Sequence, residues 1–346
     1  MTMPLATKPS EESRTQSLPG ITDEVLAFIA DTGFFADGYR LEPLTRGLSN
    51  HNLALFAREG AYVLRVNRDE SSAFCQRAFE ADNWRLAATA GLAPTLMAQS
   101  ADGRCYLSPL LDDGGWQQRY QEVPLSQFRP GLASQTDTCH PNTTTASKIA
   151  QECTGPSDAA RLLLDLLLGL QALPVPTNVK GFATQWQDYE LALEASKSQW
   201  ARDPRWCMAY EALAAEFANV EAAMARLEAM GLAYQYSHRD LTPHNLLRHQ
   251  GKLFCIDFEY ACASHPLWDL AAVLASHNLS APERTALMNA YLYAHPQLES
   301  SMSARVVDAV ALHWYFGAIW ALLMAGESGD EDYLCWFHRY LQLAKS

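Results

Sequence analysis

The segment Tyr236-Ser-His-Arg-Asp-Leu-Thr-Pro-His-Asn-Leu-Leu247, followed after a short turn by Leu253-Phe-Cys-Ile-Asp-Phe-Glu-Tyr260, constrains this chain more than any other stretch. It holds a His-x-Asp, an Asn five residues after that Asp, and a second Asp seventeen after it at the end of an apolar, strand-like run. Singly these residues mean little, because Asp and Asn are common turn formers. Together they match what phosphoryl transfer requires: a carboxylate beside an attacking hydroxyl, and hard oxygen ligands for Mg2+ on the phosphates. On this spacing Asp240 is expected to orient the hydroxyl and accept its proton, and Asn245 and Asp257 to hold Mg2+. His238 is expected to brace the loop by hydrogen bonding.

Such chemistry also needs a cover for the nucleotide phosphates and a cation beside them, so the amino-terminal part of the chain is an independent test. Gly47-Leu-Ser-Asn-His-Asn52 lies between two strand-like runs. There Gly47, Ser49 and Asn50 would let backbone N–H groups approach phosphate oxygens, although an ordinary hairpin loop reads the same way. The run Tyr62-Val-Leu-Arg-Val66 puts Arg65 where a Val-Ala-Ile-Lys lysine would stand, and Glu80 is its expected partner on the next helix. A surface salt bridge is the alternative for that pair. The chain has no Gly-x-x-x-x-Gly-Lys-Ser/Thr loop and no Gly-x-Ser-x-Gly elbow, which argues against a P-loop kinase and the usual serine nucleophile.

At 346 residues the chain exceeds the usual size of a single core, and 49% apolar content supports two lobes. Residues 1–20 read as a flexible cytosolic tail, 21–110 as a nucleotide-binding lobe, and 111–346 as a catalytic and substrate lobe. Alternating runs predict hairpins over 53–66 and 94–110, with a helix over 70–90 between them. Helical spacing recurs in Arg161–Leu173, Gln185–Trp200, Cys207–Met230, Ala281–Tyr293 and Val306–Met324. Residues 128–158 turn to Ser, Thr, Pro, Gly and Gln, and are expected to form a mobile insertion. Ala309 to Gly326 carries no formal charge, but its flanks lack Lys and Arg, so a buried helix is expected rather than a membrane span. The net charge of −13 argues against nucleic acid or an anionic membrane as partner. It suits a small cationic substrate. The eight cysteines are scattered, without zinc-type spacing.

With these motifs in view, the sequence resembles the choline, ethanolamine and thiamine kinase branch of the aminoglycoside phosphotransferase-like (protein-kinase-like) superfamily. Gly47-Leu-Ser-Asn50, Tyr62-Val-Leu-Arg65, Glu80, Ser237–Asn245 and Ile256-Asp-Phe-Glu-Tyr260 carry the likeness from Tyr39 onward. It implies an α+β two-lobed fold: a five-stranded antiparallel sheet with one helix, a mainly helical second lobe, and ATP with Mg2+ in the cleft between. It further implies a small-molecule alcohol as acceptor, held by aromatic walls including Tyr260 and Trp320, since quaternary cations are attracted to aromatic faces. Glu259 replaces the glycine of Asp-Phe-Gly, and no activation loop fits before the next helix, so a peptide acceptor is not expected. Arginine at 65 instead of lysine leaves ATP affinity open. Homoserine, a methylthio-sugar or an aminoglycoside remains an alternative acceptor, and a catalytically silent nucleotide-binding protein an alternative role.

Overall fold

A computed structural model of the chain describes residues 18, 20–44, 50–68, 75, 77–112, 114–120 and 157–346. Most of the expected tail and insertion, together with Gly47 and Ser49, lies outside them. The described helices are α1 (Asp23–Asp31), α2 (Arg77–Thr89), α3 (Trp116–Tyr120), α4 (Asp158–Gln171), α5 (Phe182–Trp200), α6 (Pro204–Ala214), α7 (Phe217–Glu228), α8 (Trp268–Ser276), α9 (Ala281–Ala294), α10 (Ser303–Ser328) and α11 (Glu331–Ala344). The strands are β1 (Tyr39–Leu44), β2 (Asn50–Ala57), β3 (Gly60–Asn67), β4 (Ala98–Gln99), β5 (Cys105–Pro109), β6 (Gln235–Ser237), β7 (Leu246–His249), β8 (Lys252–Cys255) and β9 (Cys262–Ser264).

The chain divides into two compact units, and the division does not follow the sequence. The first comprises residues 1–117, 173–178 and 238–262; the second comprises 118–172, 179–237 and 263–346. The catalytic-type segment therefore groups with the amino-terminal sheet, which a boundary drawn near residue 110 does not anticipate.

In the first unit β1 to β5 form one antiparallel sheet in the order β1-β2-β3-β5-β4. Alternation along each strand gives its faces different chemistry. Leu53 and Leu55, Leu64 and Val66, and Cys105 and Leu107 share an apolar cluster with Val25 and Ile29 of α1, so the short α1 is held by the sheet. Thr22 caps that helix by accepting from the Val25 N–H. The opposite register aligns Asn50 with Asn67, Asn52 with Arg65, and Arg65 with Tyr106. This polar face is where the site forms.

The helix expected over 70–90 begins at Arg77 among the described residues. Its inner side buries Glu80, Asn83, Trp84 and Ala87. Trp84 stacks on Phe258 with ring centroids 5.8 Å apart, and Asn83 Nδ2 donates to the Ala261 carbonyl at 2.7 Å. The sheet helix is thereby fixed to the 257–261 segment. Beside it, β7 and β8 form a hairpin whose two turn residues, Gln250 and Gly251, have φ of 50° and 77°. Positive φ at both central positions is the turn that fits strand twist.

The second unit is mainly helical. The single helix expected over Cys207–Met230 is two, interrupted at Ala215 and Glu216. Among the described residues Ser300–Ser328 is long and apolar enough to cross a membrane by length and composition, yet 61% of its apolar window is buried inside the fold. Leu312, Phe316, Ile319 and Leu323 of α10 lie in that core, as the uncharged run with its acidic flanks predicts.

Candidate active site

Three short segments of the first unit meet around Arg65. Its position two residues before the end of β3 buries the side chain on the polar face, at 6% exposure. The guanidinium Nη2 lies 2.8 Å from Glu80 Oε1, so the expected pair with the sheet helix forms. Nη1 lies 2.9 Å from Asp257 Oδ1, and Nε donates to Asn67 Oδ1 at 2.9 Å. Burial acts to lower the Arg65 pKa, but Asp257, Glu80 and Glu259 outweigh it and hold the group above the ordinary arginine range. Arg65 is a fixed cation.

The 238–245 loop is tied to the same place through Ile256. The Ile256 N–H donates to the Asn245 carbonyl at 3.0 Å, and the Ile256 carbonyl lies 3.1 Å from His238 Nε2. Asp257 is next in the chain. Burial pushes the His238 pKa down to about 4, so the ring is neutral, with its proton on Nε2 to meet that carbonyl. Its ring also packs on Phe258, with centroids 4.8 Å apart. Asn245 Nδ2 donates to Asp240 Oδ2 at 2.6 Å and to the Asp240 carbonyl at 3.0 Å, closing the loop on itself. Arg239 and Asp257 adopt left-handed backbone with φ of 69° and 68°. Such conformations cost about 1–2 kcal/mol at non-glycine residues, and both flank or form the proposed machinery.

The donor set suits a hard cation. Bonding of the Asn245 amide nitrogen to Asp240 leaves the amide oxygen as the remaining donor. Asp257 Oδ1 is a buried acceptor that no aligned hydrogen bond satisfies, because its contact with Arg65 is one of charge alone. Among the described residues no cluster of three or more His, Cys, Asp or Glu could hold a metal by itself.

Two residues at this centre escaped the sequence reading. Arg77 Nη1 bonds Glu80 Oε2 at 2.8 Å, and its Nη2 lies 3.1 Å from Glu259 Oε2. Glu259 also meets Arg65 Nη2 at 3.4 Å and Asn50 Nδ2 at 3.5 Å. Asn50, expected at the phosphate loop, is buried and accepts from Arg77 Nη2 at 3.3 Å. Burial, aided by the Asp257 charge, pushes the Glu259 carboxyl up to about 7, although both arginines pull it down. The signal for Glu259 was its replacement of glycine in the Asp-Phe-x motif.

Tyr260 is half-buried at the end of this segment. Trp320 belongs to the second unit, where it stacks on Trp336 at 6.1 Å and meets the Tyr333 edge at 5.7 Å. Phe316, one turn earlier, is instead buried against Phe182, Trp186, Tyr189 and Trp268. Phe316 and Trp320 are thus divided between the core and the α10–α11 seam.

Residues 40–301 match the APH phosphotransferase enzyme family. The chain belongs to this family. It is a small-molecule phosphotransferase with the protein-kinase-like fold, a five-stranded antiparallel sheet and a mostly helical remainder. Choline kinase LicA from Streptococcus pneumoniae has the same fold, with a TM-score of 0.63 at 15% identity over 93% of this chain and 98% of that one. An ethanolamine kinase from Plasmodium vivax gives 0.62 at 14% identity, over 92% and 86%. Protein LicA of Haemophilus influenzae is 37% identical over 54 residues, and the match covers 16% of this phosphotransferase and 20% of that protein. Among structures similar in fold to this phosphotransferase, one of LicA holds AMP and one of the aminoglycoside phosphotransferase APH(2'')-Ib holds ADP.

Proposed function

We propose that this phosphotransferase moves the γ-phosphate of ATP onto the hydroxyl of a small cationic alcohol such as choline, ethanolamine or thiamine. The observation that carries the reading is the junction at Ile256, which ties the Asp240–Asn245 loop to the residue before Asp257 while Asp257 contacts Arg65. A proton acceptor, hard-cation donors and a phosphate-directed cation are thereby assembled in one unit. The choline and ethanolamine kinases of the same fold support this type of acceptor.

In this mechanism Arg65 neutralises the α- and β-phosphates from β3. Asn245 and Asp257 would hold Mg2+, which supplies charge neutralisation across the phosphate oxygens when bound. Asp240 accepts a hydrogen bond from the acceptor hydroxyl and aims it in line with the γ-phosphorus, then takes its proton as the new oxygen–phosphorus bond forms and the bond from the γ-phosphorus to the bridging oxygen breaks, ADP being the leaving group. The Asn245 amide holds the Asp240 carboxylate in one rotamer, and His238 holds the loop. Tyr260, three residues after Asp257, contributes aromatic surface to the acceptor cation. Retention of Asp240, Asn245 and Asp257 together speaks against a silent nucleotide binder.

ADP release measured over choline, ethanolamine, thiamine, homoserine and kanamycin tests the reading. Turnover is expected with one of the first three and to fall by about 10²-fold or more in Asp240→Asn, with Mg-ATP binding retained. Turnover with kanamycin or homoserine alone would overturn the acceptor class. An undiminished Asp240→Asn would overturn the role of Asp240.

A further inference from the structure

Arg65, Glu80, Arg77 and Glu259 form a closed ring of ion pairs. Each carboxylate bridges both guanidiniums: Arg65 to Glu80 at 2.8 Å, Glu80 to Arg77 at 2.8 Å, Arg77 to Glu259 at 3.1 Å, and Glu259 to Arg65 at 3.4 Å. Asn50, the first residue of β2, bonds across the ring to Arg77 and Glu259. We propose that Glu259 and Arg77 are positioning residues of the nucleotide-phosphate subsite, acting by holding Arg65 in one orientation. The inference rests on the nucleotide reading given under Proposed function and adds to it two residues outside the lysine–glutamate type of pair.

The physical argument concerns where the Arg65 nitrogens point. Within the ring, Nη2 is held by Glu80 and Glu259, and Nε is held by Asn67. Nη1 thereby lies 2.9 Å from Asp257, the residue that would share the metal and phosphates. Without Glu259, Arg65 Nη2 and Arg77 Nη2 each lose a carboxylate contact, and the ring that links the two guanidiniums is open on one side. Arg65 would be free to tilt, and polyphosphate binding would lose a preorganised cation. The ring also ties the strand after the 47–49 segment, the start of α2 and the Asp257 segment to one another. Glycine at 259, as in Asp-Phe-Gly, offers no such group.

Equilibrium titrations of the full-length chain with Mg-ADP and with adenosine test this, because adenosine lacks the phosphates that Arg65 addresses. Glu259→Gln and Arg77→Gln should each weaken Mg-ADP binding by about tenfold, with adenosine affinity within about twofold of wild type. The double variant should bind Mg-ADP no worse than the weaker single variant within about twofold, since opening the ring once removes its effect. Arg77 is 19% exposed in its side chain, so Arg77→Gln supplies the test even if the more buried Glu259→Gln fails to fold. Unchanged Mg-ADP affinity, equal losses for adenosine and ADP, or fully additive losses would overturn the proposal. No Mg-ADP binding by the wild-type chain would overturn the nucleotide reading itself.

Discussion

Arg65 meets four partners with three nitrogens, and that geometry bears on why arginine stands where a lysine is usual. Its fork touches Asn67, Glu80, Asp257 and Glu259 from one place. A lysine ammonium is a single centre and cannot span those directions at once. Arg65→Lys is therefore expected to keep the charge yet weaken Mg-ADP binding about tenfold, with stability lower by about 1–3 kcal/mol through acceptors left unpaired. Calorimetric titration beside a thermal melt checks both, and a lysine variant equal to wild type in each would remove the claim. The Arg65–Glu80 pair was legible in the sequence because a strand arginine and a helix glutamate have few other arrangements. Arg77 and Glu259 were not, since Glu259 lies 194 residues from Arg65 and nothing local marks either as a partner. Buried charge at such distances becomes visible only once the sheet closes.

At the scale of elements, the two hairpins followed from alternation and turn chemistry, whereas the break between α6 and α7 did not. The helix over 70–90 is described from Arg77 onward, and its expected start at position 70 lies outside the described residues. The break at Ala215–Glu216 was hidden because alanine and glutamate are good helix formers, and only packing decides there. The α10–α11 seam is illegible for a related reason: the sequence reading expects no helix over Glu331–Ala344, which leaves Tyr333 and Trp336 without an element to sit on. Two adjacent glycines before α3 give a test at this scale. A Cβ at Gly114, φ +56°, would lie 2.3 Å from the Arg248 carbonyl of β7, whereas at Gly115, φ +69°, it would meet nothing within 4 Å. Gly115→Ala should cost only the conformational penalty, about 1 kcal/mol. Gly114→Ala should cost about 2 kcal/mol more and disturb β7, which follows Asn245 directly, so its activity should fall as well. Denaturant melts of the two variants side by side decide it: equal losses would show that the approach of Gly114 to β7 is not a constraint.

At the scale of the whole molecule, both units carry buried histidines that the fold keeps neutral, and this sets the response to acid. His238 in the first unit and His265, His277 and His295 in the second are at most 3% exposed. Burial pushes His238, His265 and His295 down to about 4 and His277 to about 3. His265 Nδ1 and His295 Nδ1 each accept from a backbone N–H, at 3.2 Å and 3.1 Å, which only a neutral imidazole can do. Unfolded histidine binds its proton near 6.5. Between that value and the folded pKa near 4, the unfolded chain holds more protons, so stability must fall as pH is lowered through this window. Glu259 opposes the trend, because its raised pKa of about 7 makes the folded state the better proton binder on the way down to ordinary carboxylate values. One carboxyl against four histidines does not reverse the sign. Each histidine contributes on the order of 3–5 kcal/mol when fully titrated, against a net stability of about 5–15 kcal/mol for a typical domain. The melting temperature should therefore be highest near neutrality and drop steeply from about pH 6 to 5, above the range where exposed carboxylates titrate. Thermal melts from pH 8 to 4.5, followed by circular dichroism, measure this. A flat melting temperature between pH 7 and 5 would mean that these rings either carry their protons in the fold or give them up at no cost, against the donor and acceptor roles their neighbours assign.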